Sequence, residues 1–207
     1  ADYTWNQKPG DTWQDWANPV NWLVDGEAAT AAPGAEDTVT RPKTSGNGQN
    51  KAYQWWWNLG GSSITLSKFA FGGDWWLTDT YAFSEGSMTA TGAGSQFPVG
   101  VTVRVGKNAT LSFPAGAILE IGVNHSQNSD NAKFVIEDGG ALNVDCTFFP
   151  RRVDFTVNEG GKFVYGSNVA LENCNANQFW SITNHGELTF ESGISKFGNA
   201  WSCPLSL

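Results

Sequence analysis

The residues with the clearest chemical potential in this sequence are tryptophans in two neighbouring clusters. They are Trp55, Trp56, Trp57, Trp75 and Trp76. Exposed indole rings offer flat apolar faces to the C–H faces of sugars, and carboxylates such as Asp74 and Asp79 accept hydrogen bonds from sugar hydroxyls. Because side chains alternate along a strand, Trp55 and Trp57 face outward or lie under the N-terminal segment if Trp56 is in the core. The pattern therefore predicts either packing under that segment or a glycan-binding surface. The residues predicted for that surface are Trp55, Trp57, Trp75, Trp76 and Asp74.

Catalytic groups are much less clearly indicated. Polysaccharide chemistry on a repetitive β-fold needs a carboxylate pair, or Asp-bound calcium with a basic residue, on one exposed face. The candidates are Asp145, Asp154, Arg151 and Arg152. The two arginines follow Pro150, so a solvated turn explains them equally well. We therefore predict no catalytic residues, no cofactor and no enzymatic activity, and keep a small polysaccharide-active enzyme as an alternative.

The cysteines favour a structural role. The chain has Cys146, Cys174 and Cys203 but no Cys-x-x-Cys pair, so a zinc or redox motif has no support. Neighbouring cysteines are 28 and 29 residues apart (174 − 146 and 203 − 174). Both spacings would bring cysteines together in successive turns of a repeat. We expect a Cys174–Cys203 disulfide, with Cys146–Cys174 as the alternative pairing, and no metal site.

Composition limits the partners and the compartment. Twelve Lys and Arg residues against 20 Asp and Glu residues give a net charge of −8, which argues against a nucleic-acid partner. No run of apolar residues approaches the 18 or so that a membrane-spanning helix needs. The chain starts at Ala1 rather than Met, as it would after removal of a signal peptide. With the Trp-rich, Lys-poor composition, this predicts a secreted or cell-surface protein.

A repeat is visible from about residue 56 onward. Four segments share a pattern of strand, short turn and strand around a small turn residue, namely Ala109, Gly140, Gly161 and Gly186. The positions six and four residues before it, and two and four residues after it, are apolar or aromatic in all four segments. Alternation on both sides of a turn indicates one buried face. Segments around Ser62 and Ser87 fit the pattern less well.

The six turn positions are spaced 25, 22, 31, 21 and 25 residues apart. A period in the low to mid twenties is the length of one coil of a parallel β-solenoid, and we expect the 31-residue interval to contain a loop. We predict an all-β, single-domain solenoid of about six coils over 55–207, with a Trp-rich capping segment over 1–54. The alternative is a β-sandwich or jelly roll, because the Asp-Gly-Gly and Glu-Gly-Gly turns also suit hairpins. The one-coil spacing and the repeated interior residue types favour the solenoid.

The N-terminal segment does not follow the repeat and has its own motif. In order, it contains Trp5, Trp13, Trp16, Asn21-Trp22, Pro33-Gly34 and Asp37-Thr38-Val39. This order resembles the start of secreted bacterial passenger proteins of the autotransporter and repeat-adhesin type. The resemblance implies a right-handed parallel β-helix at the cell surface and carries no catalytic residues. The chain is shorter than most such passengers and has no translocator barrel, so we expect a fragment or a small relative exported another way.

These observations predict a non-catalytic structural or adhesin module. The tryptophans of the N-terminal segment would cover the open end of the first coil. The apolar stretch 201–207 lacks a polar cap, so head-to-tail stacking into extracellular filaments is one expectation. The partners expected are therefore further copies of the chain or, in the alternative reading as a carbohydrate-binding module, surface glycans.

Overall fold

The computed structural model describes residues 1–6, 12–41, 53–71, 78–123, 130–172 and 180–191, together with the backbone of 205–206. Its strands, numbered in chain order, form three sheets. Each complete coil adds one strand to each sheet in turn, and we number the sheets I, II and III in that order. Sheet I contains β2 (Gln14–Asp15), β6 (Gln54–Asn58), β9 (Thr80–Ser84), β12 (Thr102–Val105), β15 (Ala132–Ile136), β18 (Val153–Val157), β21 (Trp180–Asn184) and β23 (Leu205–Ser206).

Sheets II and III complete each coil. Sheet II contains β7 (Ser63–Leu66), β10 (Gly86–Ala90), β13 (Ala109–Phe113), β16 (Ala141–Val144), β19 (Lys162–Tyr165) and β22 (Glu187–Phe190). Sheet III contains, in spatial order, β4 (Glu27–Ala28), β3 (Trp22–Val24), β1 (Asp2–Trp5), β5 (Thr38–Thr40), β8 (Lys68–Ala70), β11 (Ser95–Pro98), β14 (Ile118–Val123), β17 (Thr147–Pro150) and β20 (Ala170–Leu171). A single-turn 3-10 helix spans Pro19–Asn21.

This architecture is a parallel β-solenoid, as the repeat predicts, and each complete coil contributes three strands. The described residues contain five complete coils and the first two strands of a sixth. All strand pairs in them are parallel except β1 with β3 and β3 with β4. The β-sandwich alternative is wrong, because equivalent strands pair with the next coil rather than within hairpins. The right-handed winding stays a prediction.

Aromatic and aliphatic side chains stack above one another inside the solenoid. One inward column of sheet I illustrates the register and consists of Trp55, Tyr81, Val103, Phe134, Phe155 and Ile182. All six side chains are buried. Rungs about 4.8 Å apart let each ring or branched side chain pack on the equivalent one in the next coil.

Turn length explains why the first two coils fit the repeat poorly. From the sheet I position of Trp57 to the sheet II position of Ile64, the third, fourth and fifth coils count six residues, as from Val105 to Leu111. The first coil counts seven, from Trp57 to Ile64, and the second counts five, from Phe83 to Met88. Because side chains alternate with period two, one extra or missing residue exchanges the inward and outward positions across the turn.

The N-terminal segment closes the first coil with aromatic side chains. Trp5, Trp16 and Trp22 are buried, and their ring centroids lie 5.8, 5.2 and 6.3 Å from that of Trp57. The segment also extends the sheets, since β2 adds to sheet I and β5, β1, β3 and β4 add to sheet III. The end strand β4 has only two residues, which leaves little backbone for another chain to pair with.

The start of the chain is held by one carboxylate. The α-ammonium group of Ala1 lies 2.7 Å from Oδ1 of Asp37, and the backbone N–H of Gly34 donates to Oδ2. Burial opposes ionisation of Asp37, but these two hydrogen bonds outweigh it and lower the pKa of the carboxyl group. The N-terminus is thereby tied to the strand β5.

Candidate functional site

The predicted tryptophan surface is wrong for the two residues that the structure describes. Trp55 and Trp57 are only 1% and 0% exposed, and their rings lie 5.6 Å apart in the core. The seven-residue turn of the first coil places these residues in the same inward columns as Tyr81 and Phe83. They therefore offer no ring face to a glycan. The other predicted ligands, Asp74, Trp75 and Trp76, lie outside the described residues, as do Cys174 and Cys203.

The outward-facing tryptophan of the first cluster is Trp56. Its partner is Trp13, which precedes β2 at the edge of sheet I. The two rings meet edge to face, with centroids 4.8 Å apart and planes at 83°. The Nζ atom of Lys107 lies 4.6 Å from the centroid of the Trp13 ring, within cation–π distance. Both tryptophans are half-buried, whereas Lys107 is exposed.

This aromatic pair lies beside two small residues of the second coil. Ala82 is in register with Trp56, and Ser84 with Asn58, so both occupy outward positions of sheet I. Both are nevertheless completely buried. Neighbouring side chains on the outer face therefore cover them, and Trp56 is the adjacent large side chain. Aligning Trp55 with Tyr81 in the sequence, instead of Trp56, would have identified Trp56 as the outward residue.

Asp79 belongs to a buried network rather than to a sugar-binding surface. Its Oδ2 atom lies 2.7 Å from Nε of Arg41 and accepts a hydrogen bond of 2.8 Å from the hydroxyl of Tyr81. Its Oδ1 atom accepts the backbone N–H of Tyr53 at 2.8 Å. Burial, together with the adjacent carboxylate, raises the pKa of Tyr81 well above its ordinary value. The network therefore joins the end of β5 to the start of the first coil, at Tyr53, and to the start of the second coil, at Asp79.

The guanidinium group of Arg41 completes this network. It lies over the ring of Tyr53, with 4.4 Å between Cζ and the ring centroid. Its side chain is 9% exposed, and Asp79 is fully buried. Sequence reasoning missed this pair, because 38 residues separate the partners and no motif marks either of them.

The two carboxylates considered for catalysis lie on different parts of the solenoid. Asp154 is on the outer face of sheet I in β18, whereas Asp145 follows β16 at the corner between sheets II and III. Asp154 accepts hydrogen bonds from the hydroxyl of Ser181 at 2.6 Å and the amide of Asn131 at 3.1 Å. Asp145 accepts two from Asn168, at 2.8 Å from its backbone and 2.9 Å from its side chain. The structure does not bring them together as a catalytic pair.

The two arginines are engaged as well. A terminal nitrogen of Arg151 lies 3.6 Å from Glu120, and its guanidinium group lies over the ring of Phe149 at 5.6 Å. The Nε atom of Arg152 donates to the side chain of Asn131 at 3.0 Å. Both arginines thus stabilise the corner that follows β17.

A shallow groove of about 420 Å³ runs along the outer face of sheet II. The polar side chains that line the groove come from neighbouring coils and are Ser112, Asn143, Asp145 and Glu191. The amide of Asn143 donates to Ser112 at 3.1 Å, and Glu191 accepts the backbone N–H of Ser167 at 3.2 Å. Each of these four side chains therefore takes part in a hydrogen bond within the chain.

Metal and thiol chemistry find little support in the described residues. That part of the chain contains no group of three or more His, Cys, Asp or Glu residues arranged to hold a metal ion. Cys146 is a free, buried thiol, so the alternative Cys146–Cys174 disulfide is not formed. Burial, reinforced by the charge of Asp145, raises the pKa of Cys146 to about 12. The Cys174–Cys203 pairing stays a prediction.

The fold defines the class of this chain as a parallel β-solenoid protein with three-strand coils. Comparison with protein-family models, with curated proteins and with solved structures gives no match. None of the helical segments in the described ranges is long and apolar enough to cross a membrane. The function is therefore inferred from the geometry of the chain itself.

Proposed function

We propose that this chain is a non-catalytic structural module that associates end to end through the two edges of sheet II. One observation carries the proposal. Within the described residues, both edge strands of sheet II, β7 and β22, lack a strand partner on their outer side, whereas the N-terminal segment extends sheets I and III.

The backbone of β7 has hydrogen-bonding groups directed away from the solenoid. The carbonyl groups of Ser62 and Leu66 accept the N–H groups of Ser87 and Thr91 from the next coil. Since successive residues of a strand alternate, the N–H and C=O groups of Ser63 and Thr65 point to the opposite side. Such an edge is a template for an added strand.

The opposite edge, β22, has the complementary arrangement. The N–H groups of Glu187 and Glu191 donate to the preceding coil, so the backbone groups of Leu188 point outward along the solenoid axis. Both sheet edges run parallel to their neighbours, and β22 of one copy would therefore extend the sheet of the next copy without reversing a strand.

Burial of the apolar side chains supports the same contact. One inward column of sheet II consists of Ile64, Met88, Leu111, Leu142, Phe163 and Leu188. The four middle members are fully buried, whereas Ile64 and Leu188 at the two ends are half-buried. Stacking β22 on β7 would place Leu188 against Ile64 and continue the column. Such a heterologous contact does not close on itself and produces filaments.

The absence of a catalytic role and the location outside the cell belong to the same proposal. Asp79, Asp145 and Asp154 are each held by hydrogen bonds within the chain, which suits structural roles. The low content of Lys and Arg, the many tryptophans and the passenger-like N-terminal motif favour a secreted or cell-surface protein. A solenoid of this kind would serve there as a rigid spacer or adhesin.

The test at β7 is the variant Thr65→Pro, with Thr65→Val as the matched control. Proline removes an N–H that β10 does not use and is tolerated in edge strands, whereas valine keeps that N–H. We expect the unaltered chain and Thr65→Val to form oligomers whose mass rises with concentration in light scattering, and Thr65→Pro to remain a 22.4 kDa monomer. Circular dichroism verifies that each variant is folded.

The test at β22 is Leu188→Lys, with Thr189→Lys as its control, because Thr189 is on the outer face of the same strand. Only the inward lysine should prevent association. A monomeric unaltered chain at all concentrations, or assembly of Thr65→Pro and Leu188→Lys equal to that of their controls, would overturn the proposal.

A further inference from the structure

We propose that Trp13 and Trp56, together with Lys107, form a binding surface for a neutral β-linked glucan on the outer face of sheet I. This inference goes beyond the proposed assembly and does not depend on it, because sheet I and the edges of sheet II are different surfaces. It also replaces the site that the sequence predicts, since Trp55 and Trp57 are in the core.

Trp13 and Trp56 differ from the other described tryptophans in their location. The described residues include eight tryptophans, of which six are at most 2% exposed. The other two, Trp13 and Trp56, are both on the outer face of sheet I, in contact with each other. Trp56 also covers Ala82 and Ser84, but both rings stay partly exposed, so the inward packing of the core does not account for the pair.

The two indole rings are arranged in a shape that suits a sugar ring. Because the planes of the two indoles meet at 83°, they form two perpendicular walls rather than a flat stack. A glucose unit with equatorial hydroxyl groups has apolar C–H faces above and below its ring. Such a unit could pack one C–H face against one wall while its edge contacts the other. Packing of this kind is the usual way in which exposed aromatic rings and sugars gain contact area.

Polar side chains surround the two rings. Gln54 and Asn58 are two residues before and after Trp56, so they project from the same face of β6. The side-chain oxygen of Asn58 accepts the N–H of Gly60 at 2.8 Å, which directs the amide in a fixed orientation and leaves its nitrogen as a donor. Lys107 adds an ammonium donor above Trp13. Amides and an amine beside aromatic walls suit a ligand rich in hydroxyl groups.

The negative charge around the two rings favours a neutral ligand over a polyanion. Glu85 shares a backbone hydrogen bond with Lys107, and Asp15 is in register with Asn58, so two exposed carboxylates flank the surface. The neighbouring Arg104 is paired with Glu137. The chain as a whole carries a net charge of −8. Coulombic repulsion therefore disfavours an acidic polysaccharide at a surface with one exposed lysine.

The experiment is affinity electrophoresis in native gels containing hydroxyethyl cellulose, a soluble neutral β-glucan, with polygalacturonate gels as the anionic comparison. The unaltered chain should be retarded by hydroxyethyl cellulose and not by polygalacturonate. Trp56→Ala and Trp13→Ala should each bind about tenfold more weakly, as expected for loss of one aromatic wall. Lys107→Met should weaken binding less, because the aromatic walls remain.

The matched control is Phe149→Ala. Phe149 is also a half-buried outward ring with a cation above it, Arg151, but it lies on sheet III. The Phe149→Ala variant should therefore be retarded by hydroxyethyl cellulose like the unaltered chain. The urea midpoint of each variant verifies folding, and Trp56→Phe, which keeps an aromatic wall, should retain most of the retardation.

Three results would overturn the inference. They are no retardation of the unaltered chain by hydroxyethyl cellulose, equal retardation of folded Trp56→Ala and Phe149→Ala, and stronger retardation by polygalacturonate than by the neutral polymer. Because Thr65→Pro changes only the edge of sheet II, it should still be retarded. Failure of assembly and failure of glucan binding are thus separately visible.

Discussion

Asp79 and Arg41, which are 38 residues apart, form an ion pair inside the protein, with 2.7 Å between Oδ2 and Nε. The pair joins the end of the capping segment to the second coil. The hydroxyl of Tyr81 donates to the same oxygen, and the backbone N–H of Tyr53 donates to Oδ1. The cap is therefore connected to the solenoid by a polar network as well as by the aromatic contacts around Trp57.

Loss of the charge on Asp79 should strongly destabilise the fold. Asp79→Asn leaves the buried guanidinium group of Arg41 without its counter-ion, and we expect a loss of about 3–5 kcal/mol. Urea unfolding followed by tryptophan fluorescence measures it. The control is Glu187→Gln, which breaks the Lys162–Glu187 pair, whose side chains are both 58% exposed. It should change stability by less than about 1 kcal/mol. Equal losses in the two variants would contradict a structural role for the Asp79 network.

The alternation of the tryptophan cluster predicts unequal effects at adjacent positions. Trp57→Leu removes a fully buried ring that contacts Trp16, Trp22 and Phe83, and should cost about 3 kcal/mol or more. Trp56→Leu changes a half-buried outward ring and should cost about 1 kcal/mol or less. Chemical denaturation of both variants provides the comparison. A larger loss for Trp56→Leu would restore the alternation that the sequence repeat predicts.

The repeat shows how far sequence reasoning reaches in this fold. Apolar residues flanking Ala109, Gly140, Gly161 and Gly186 correctly predict the paired strands of sheets I and II and the register of sheet II. In sheet I the predicted register is correct for the first three segments but wrong by two residues for the last, because Phe155 pairs with Ile182 rather than with Trp180. Sheet III was not part of the repeated pattern, because its strands vary in length from two residues in β20 to six in β14 and follow corners of varying length. Its recurrence has to be inferred from the one-coil spacing rather than from the local alternation.

The candidate surface was harder to predict, for two physical reasons. A change of one residue in the turn after Trp57 exchanges inward and outward positions, and no local signal in the sequence marks the extra residue. Trp13 reaches Trp56 and Lys107 only because β2 pairs with β6. Contacts of this kind depend on long-range register, as does the pair between Arg41 and Asp79.

Four of the sheet II strands begin at or just after a glycine (Gly86, Gly140, Gly161 and Gly186) whose lack of a side chain has a steric cause, which can be tested at Gly140. A Cβ atom added there would lie 2.1 Å from the carbonyl oxygen of Val105 in the preceding coil. Gly140→Ala must therefore separate two rungs, and we expect a loss of about 3 kcal/mol. Thermal unfolding measures it. In the control Gly34→Ala the nearest atom is 3.8 Å away, so stability should change by less than about 1 kcal/mol. A stable Gly140→Ala variant would contradict the close approach of the coils.

The thiol of Cys146 should be unreactive in the folded protein. Burial, and then the charge of Asp145, raise its pKa to about 12, so about one thiol in ten thousand is ionised at pH 8. In the unfolded chain, with an ordinary pKa of about 8.5, roughly a quarter is ionised. A Cys174→Ser/Cys203→Ser variant isolates this residue for reaction with a chromogenic disulfide. We expect slow labelling at pH 8 without urea and rapid labelling above the unfolding midpoint.

The variant Asp145→Asn, made in the same background, separates the two causes of the raised pKa. Burial is the larger cause, so removal of the carboxylate charge should leave native labelling slow. Rapid labelling of the folded Asp145→Asn protein would show instead that the neighbouring charge, rather than the packed interior, protects the thiol. Rapid labelling of the folded background variant would contradict the burial of Cys146 at the corner between sheets II and III.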